Sequence, residues 1–209
     1  MERNDRRVPA TDAGFSLIEL LAVVALMGLL IVMVVPSVGG IMGGARLTQT
    51  GNLLVDEINQ AHMLALARSK PCEVWFLRMP SASGGAVAYR GFRSRLLEPD
   101  GSTRWVTRLQ RLPEPLVISP SAARSNSIGG QTPQSVTDAP GITGGVGIRI
   151  YPNGRAEALN PTGDLDLNTP LFFTIGKEAE VGDGGDSLPS SYITIQVLPR
   201  NARVTLFRP

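Results

Sequence analysis

Two residue types that carry much of protein chemistry are almost missing from this 209-residue chain. Cys72 is its one cysteine, so no disulfide can form within the chain, and an oxidising compartment is neither required nor excluded. His62 is its one histidine, which argues against a histidine-built metal site and against a Ser-His-Asp centre. Lysine occurs only at Lys70 and Lys177, so the basic residues are nearly all arginine, and a formal charge of +2 is not that of a polycation. There is no HExxH, P-loop, CxxC pair or nucleotide-type glycine fingerprint. The composition points away from an enzyme and implies no cofactor.

What is present is one long apolar run. From Phe15 to Val35 the chain is almost wholly apolar, and Glu19 is the only charge. About 20 apolar residues span a bilayer as a helix. The run is longer than the roughly 7–15 residues of a secretory signal, and no small-x-small cleavage pattern follows closely. A retained membrane helix is expected. Arg3, Arg6 and Arg7 precede it and only Arg46 follows closely, which places the N-terminus in the cytoplasm and the C-terminal bulk outside. A lone carboxylate costs roughly 2.5–3.5 kcal/mol at the centre of a membrane, less near an interface. Either Glu19 reaches the headgroups, or it finds a cationic partner once the segment packs against others. Gly28 is tolerated within such a helix, whereas Pro36 should kink or break it. Glycines at 39, 40, 43 and 44 should then form a flexible neck over 39–44.

Beyond a leader and the apolar helix lie about 170 residues, enough for one domain with one core. Residues 45–70 read as an amphipathic helix: Leu47, Leu54, Ile58, Ala61 and Ala65 share a face, while Asp56, Glu57 and Gln60 point elsewhere. His62 flanks that face as a packing residue, and Lys70-Pro71 ends the helix. The remainder, 71–209, is strand-rich. Strands are expected over Glu73–Met79, Ala86–Phe92, Leu116–Ile118, a hairpin from Val146 to Leu159 turning at Pro152-Asn153-Gly154, Leu171–Ile175, Tyr192–Leu198 and Arg203–Phe207. Cys72 reads as a small buried residue. Residues 119–147, rich in Ser, Pro, Gly, Thr and Gln, should be a long mobile loop adding little core. The arginines at 90, 93, 95, 104, 108 and 111 are either solvated on the outer faces of a meander or an anion-binding groove, for DNA backbone for example. Arg200, Arg203 and Arg208 make the C-terminal end basic and are candidate anion or DNA contacts. The acidic loop 177–186 could hold calcium, although its spacing is not that of an EF-hand.

The residues GFSLIEL, followed by this apolar run, resemble the class III signal of type IV pilins and pseudopilins. The resemblance implies cleavage by a prepilin peptidase after Gly14, removing residues 1–14, and methylation of the new amine on Phe15. It implies that Glu19 pairs with the N-terminal amine of a neighbouring subunit during assembly, and that 15–38 is both membrane helix and assembly segment. Gly28 and Pro36 fall where pilins often carry a helix-loosening glycine and a proline. The layout is then α+β, a long N-terminal helix packed on a C-terminal antiparallel sheet. Within the family, ARLTQTGNLLVDEINQAHMLALARSKPCEVWF and IRIYPNGRA resemble the H-type (FimT/GspH-like) minor pseudopilins. GNLLVDEINQA and the terminal TLFRP also resemble the pilin-like proteins called Verru_Chthon cassette protein D. The expectation is a minor pilin-like subunit of a type II secretion pseudopilus or type IV pilus-like filament. It would sit in the inner membrane with its C-terminal domain periplasmic, and its partners would be the peptidase, the membrane and other pilin-like subunits. DNA capture by a minor pilin is the alternative. A single-pass membrane enzyme matching by chance would need a catalytic constellation that one His and one Cys hardly supply.

Overall fold

The computed structural model describes residues 16–82, 84–136, 141–161, 168–181, 185 and 187–209, with the side chains of 32–42 left out. Helix α1 (Leu17–Arg68) is followed by β1 (Cys72–Met79), β2 (Ala88–Leu97), β3 (Thr103–Trp105), β4 (Gln110–Arg111) and β5 (Leu116–Ile118). Then come the short α2 (Asn126–Gly129), β6 (Gly144–Ile150), β7 (Ala156–Ala158), β8 (Leu171–Lys177), the short α3 (Glu178–Val181), β9 (Tyr192–Val197) and β10 (Val204–Phe207). The chain divides into two compact units, Met1–Gly43 and Gly44–Pro209.

The two helices expected on either side of a break at Pro36 and a neck at 39–44 are a single helical element. Proline removes one backbone donor and glycine only weakens helix propensity, so neither forbids a helix outright. The C-terminal end of α1 is closed by a Schellman arrangement. Lys70 N–H donates to Ala65 O at 3.3 Å and Ser69 N–H to Leu66 O at 3.2 Å, with Ser69 at φ 50° and Pro71 next in the chain.

In the second unit the helix lays one stripe on the sheet. Leu47, Leu54, Ile58, Ala61 and Ala65 are all buried, as their spacing predicts. Gly51 completes the stripe: a Cβ there would lie 2.8 Å from Leu206 Cδ1 and 3.2 Å from Ile193 Cδ1, so this glycine lets the helix approach β9 and β10. The strands form one sheet in the order β10-β9-β8-β5-β2-β1-β6-β7, with β3 and β4 also pairing β2, and every described pairing is antiparallel. Val74, Phe76, Phe92, Ile148, Phe173, Ile193 and Ile195 meet the helix on the inner face. The outer face of β1 has its own small cluster, Trp75, Leu77 and Met79 under Trp105, Leu109, Val136, Ile142 and Leu159. β1 is therefore covered on both sides, which is why CEVWFLRM shows little apolar alternation.

Two expectations are corrected here. Glu57 does not point away: it is buried, and its Oε1 accepts from Ser94 Oγ at 2.5 Å and Thr107 Oγ1 at 2.7 Å. The segment after β5 is not a loose excursion either. Ser119, Ser121, Arg124, Ser125, Ser127, Ile128 and Gln131 are buried. The segment serves the side of β8 that β5, reaching only Ile175–Lys177, leaves open. Asn126 Nδ2 donates to Pro170 O at 2.9 Å, Phe172 N–H to Asn126 Oδ1 at 2.7 Å, Ser127 Oγ to Phe172 O at 2.8 Å, and Thr174 N–H to Ser125 Oγ at 3.0 Å. Polar side chains here do the work of a missing strand, because a buried backbone group needs a partner of any kind.

Candidate assembly surface and the basic face

At the start of α1, Ser16 and Glu19 hold each other. Ser16 N–H donates to Glu19 Oε2 at 3.0 Å, and Glu19 N–H donates to Ser16 Oγ at 3.3 Å. This is a capping box, two orphan donors of a helix start satisfied reciprocally, with the acid at the positive end of the helix dipole. The signal, Ser-x-x-Glu opening an apolar run, is legible in the sequence. From Leu17 onward, Leu17, Ile18, Leu20, Leu21, Val23, Val24, Leu26, Met27, Leu29, Leu30 and Ile31 are all exposed, Leu17 at 81%. These positions run right round the helix, so the segment has no polar face. Gly28 lies among them in open space. Gly14 and Phe15 lie outside the described residues, and so does the side chain of Pro36. Among the described residues no helix is long and apolar enough to cross a membrane. The stretch expected to do so, 15–38, runs into positions whose side chains are outside the description.

Arg90, Arg93, Arg95 and Arg149 are held by partners within the sheet, whereas Arg104, Arg108 and Arg111 are exposed. Register aligns Trp105, Arg95, Glu73, Arg149 and Glu157 across β3, β2, β1, β6 and β7. Strands lie about 4.8 Å apart, so such a row brings unlike charges into contact. Glu73, only 1% exposed, accepts from Arg95 Nε at 2.7 Å, from Arg149 Nη2 at 2.7 Å and Nε at 3.0 Å, and from Trp75 Nε1 at 2.9 Å. Burial pushes its carboxyl up, but the hydrogen bonds from Trp75, Arg149 and Arg95 outweigh burial and hold it below the ordinary value. Arg95 also stacks over Trp75 at 4.2 Å, and Arg93 over Trp105 at 4.0 Å. Arg90, 3% exposed, is ion-paired with Glu178. Arg104 is loosely paired with Glu98 at 3.9 Å, and Arg108 and Arg111 are exposed.

The C-terminal arginines are not one patch. Arg200 Nη2 donates to Asn168 Oδ1 at 2.5 Å, and Arg203 is exposed in the same turn. Arg208 lies past the far end of β10, where its Nη1 donates to Thr48 Oγ1 on α1 at 2.6 Å. At about 3.4 Å per residue of strand, Arg203 and Arg208 lie roughly 17 Å apart along the backbone. In the acidic loop, Glu178 is committed to Arg90, and Glu180 accepts from the Ser190 N–H at 2.6 Å, a bond that with the Ser190 hydroxyl holds its carboxyl below the ordinary value. Asp183 and Asp186 lie outside the described residues, and no metal-holding cluster occurs among the described ones. His62 is half-buried on the flank of the helix stripe. Cys72 is buried, and burial, with the charges of Glu57 and Glu73, pushes its thiol up to about 12, so it is not a thiolate near neutrality.

The described architecture is thus of the α+β class, a helix laid on one face of an antiparallel sheet. No family model matches the chain, and no curated protein does. Among solved structures it is similar to the minor pseudopilin EpsH from the type 2 secretion system of Vibrio cholerae, at 11% identity over 78% of this chain and 98% of that one, with a TM-score of 0.43. It is likewise similar to the type IV minor pilin FimU of Pseudomonas aeruginosa, at 12% identity over 78% and 92%, with a TM-score of 0.43. At such identity no residue's role passes from either protein to this chain.

Proposed function

We propose that the chain is a minor pilin-like subunit, structural rather than catalytic. It is made as a precursor and held in the cytoplasmic membrane by its apolar helix, with the sheet unit outside. A prepilin peptidase cuts it between Gly14 and Phe15, and Phe15 is methylated. The helix then assembles with those of other pilin-like subunits into a type II secretion pseudopilus or a type IV pilus-like filament. The observation that carries this reading is the start of α1: a capped helix, apolar on every side and exposed from Leu17 to Ile31, behind the residues GFSLIEL. Such a surface is stable in lipid or against other helices, not in water. Fewer arginines are free for DNA capture than their number suggests: Arg90, Arg93, Arg95 and Arg149 are held by carboxylates and an indole and Arg200 and Arg208 by Asn168 and Thr48, which leaves Arg104, Arg108, Arg111 and Arg203 exposed.

Glu19 has two roles to separate, closing the helix start and meeting a neighbour's amine. Glu19→Gln keeps an acceptor for the capping box but removes the charge, and Glu19→Ala removes both. Both variants are expected to enter the membrane and both to be absent from sheared filaments or crosslinked assemblies. Normal incorporation of Glu19→Gln would leave only the capping role standing.

A further inference from the structure

A cavity of about 330 Å³ opens where β1, β2 and the α2 segment meet, within the range of small-ligand sites. Arg78, Tyr89, Val87, Ile128, Gly129 and Pro133 are among its lining residues. It lies in the sheet unit, and nothing about it depends on how the apolar helix is used.

The chain builds this cavity deliberately. The β1–β2 register shifts between Leu77 and Arg78, a bulge that makes Arg78 face Tyr89 directly as its cross-strand partner. Gly129 closes the opposite wall: a Cβ there would lie 2.3 Å from Ala122 N and 2.5 Å from Pro120 O, so only glycine lets α2 approach that backbone. Arg90, Arg95 and Arg149, on the same sheet, each have a carboxylate. Arg78 is half-buried and has no ion pair among the described residues. Tyr89 is 6% exposed, and its hydroxyl has no hydrogen-bond partner among the described residues. Burial raises the Tyr89 hydroxyl above its ordinary range despite the opposing charge of Arg78, so at neutral pH it is a protonated donor.

The lining also selects the anion. Pro120 and Pro133 have no N–H, and the N–H groups of Gly129 and Gln131 are spent on Ser125 O and Ile128 O. Gln131 is committed too: its Nε2 donates to Ser127 O, and its Oε1 accepts from Gly147 N–H at 3.4 Å. One guanidinium fork and one phenol, against walls of Val, Ile and Pro, suit a planar monoanion with a carbon body and are too few for a phosphate dianion. We propose that this cavity binds a carboxylate, Arg78 and Tyr89 holding its oxygens and the apolar walls its carbon chain. A small free acid and the C-terminus of a peptide share this chemistry.

The test uses the full-length chain in detergent micelles, with the Ile128 methyl followed by NMR. The probes are isovalerate, an acetylated Gly-Pro-Leu peptide with a free C-terminus, the same peptide as its amide, and inorganic phosphate. At least one of the two acids is expected to shift the methyl saturably in the millimolar range, and which one identifies the source; the amide and phosphate are expected not to. Loss of a charge-assisted hydrogen bond should weaken binding at least about tenfold in Arg78→Gln, and loss of the phenol severalfold in Tyr89→Phe. A thermal melt accompanies each variant, and if Arg78→Gln is not folded, Tyr89→Phe decides. The proposal is overturned if neither acid binds, if the amide or phosphate binds as well as the acids, or if a folded variant binds like the parent.

Discussion

Glu73 lies at the centre of the cross-strand charge row. It is a buried carboxylate held by two arginines and an indole, and the arginines keep part of their surface in water, with side-chain exposures of 20% for Arg95 and 29% for Arg149. Breaking a buried pair by removing one partner typically costs 3–5 kcal/mol, and the partial exposure here brings the expected loss for Glu73→Gln to about 3 kcal/mol at neutral pH. Because folding lowers the carboxyl below its ordinary value of 4.5, the folded chain binds fewer protons there than the unfolded one. That stabilisation is complete above the ordinary value and drains away as pH falls through the lower, folded value. Melting the parent and Glu73→Gln from neutral pH into the acid range should show the difference between them shrinking in that window. A difference that stays constant would remove Glu73 from the account. The sequence displays the parts of this arrangement but not the arrangement. Arg149 and Glu157 can be paired across the Pro152-Asn153-Gly154 turn once the hairpin is recognised, whereas Arg95 meets Glu73 only through the β1–β2 register, which no local pattern specifies. Glu57 was hidden for a related reason: its partners, Ser94 and Thr107, lie 37 and 50 residues away.

At the scale of elements, local pattern was a good guide wherever one face of an element is buried. The stripe on α1 and the alternation of β9, with Ile193, Ile195 and Val197 inward, were legible for that reason. Legibility failed where polar groups are buried in pairs. The 119–136 stretch looks coreless by composition, yet its serines and Asn126 are the hydrogen-bonding edge of β8. A glycine in a helix pattern ordinarily signals weakness, so the sequence alone does not reveal the close approach at Gly51. Filling that position should push the helix off β9 and β10. Gly51→Leu is expected to cost about 2 kcal/mol, seen as a lower denaturant midpoint at unchanged slope. Ser69 offers the opposite test. It occupies a left-handed position at the Schellman end of α1, φ 50°, where glycine is at ease. Ser69→Gly should therefore stabilise by up to about 1 kcal/mol, less whatever the freer unfolded chain takes back. A destabilised Ser69→Gly would mean that the serine side chain matters more than its backbone.

For the whole molecule the two compact units divide the account. The sheet unit, 44–209, has its own core, its charge row and the Arg78–Tyr89 cavity. The first unit offers an apolar helix with a built cap and, at and just before its start, a motif whose parts agree: Gly14, Phe15, the capping Ser16 and Glu19. The second unit's architecture does not by itself say what the protein does, and the function proposed rests on the first. The central claim is that the chain is cut between Gly14 and Phe15 and works as a processed subunit. The most direct measurement is the mass of the N-terminal peptide of the protein isolated from its native membrane. A methylated peptide beginning at Phe15 is the predicted result. A peptide beginning at Met1, from cells whose prepilin peptidase is active, would contradict the account and leave Glu19 as a helix cap alone.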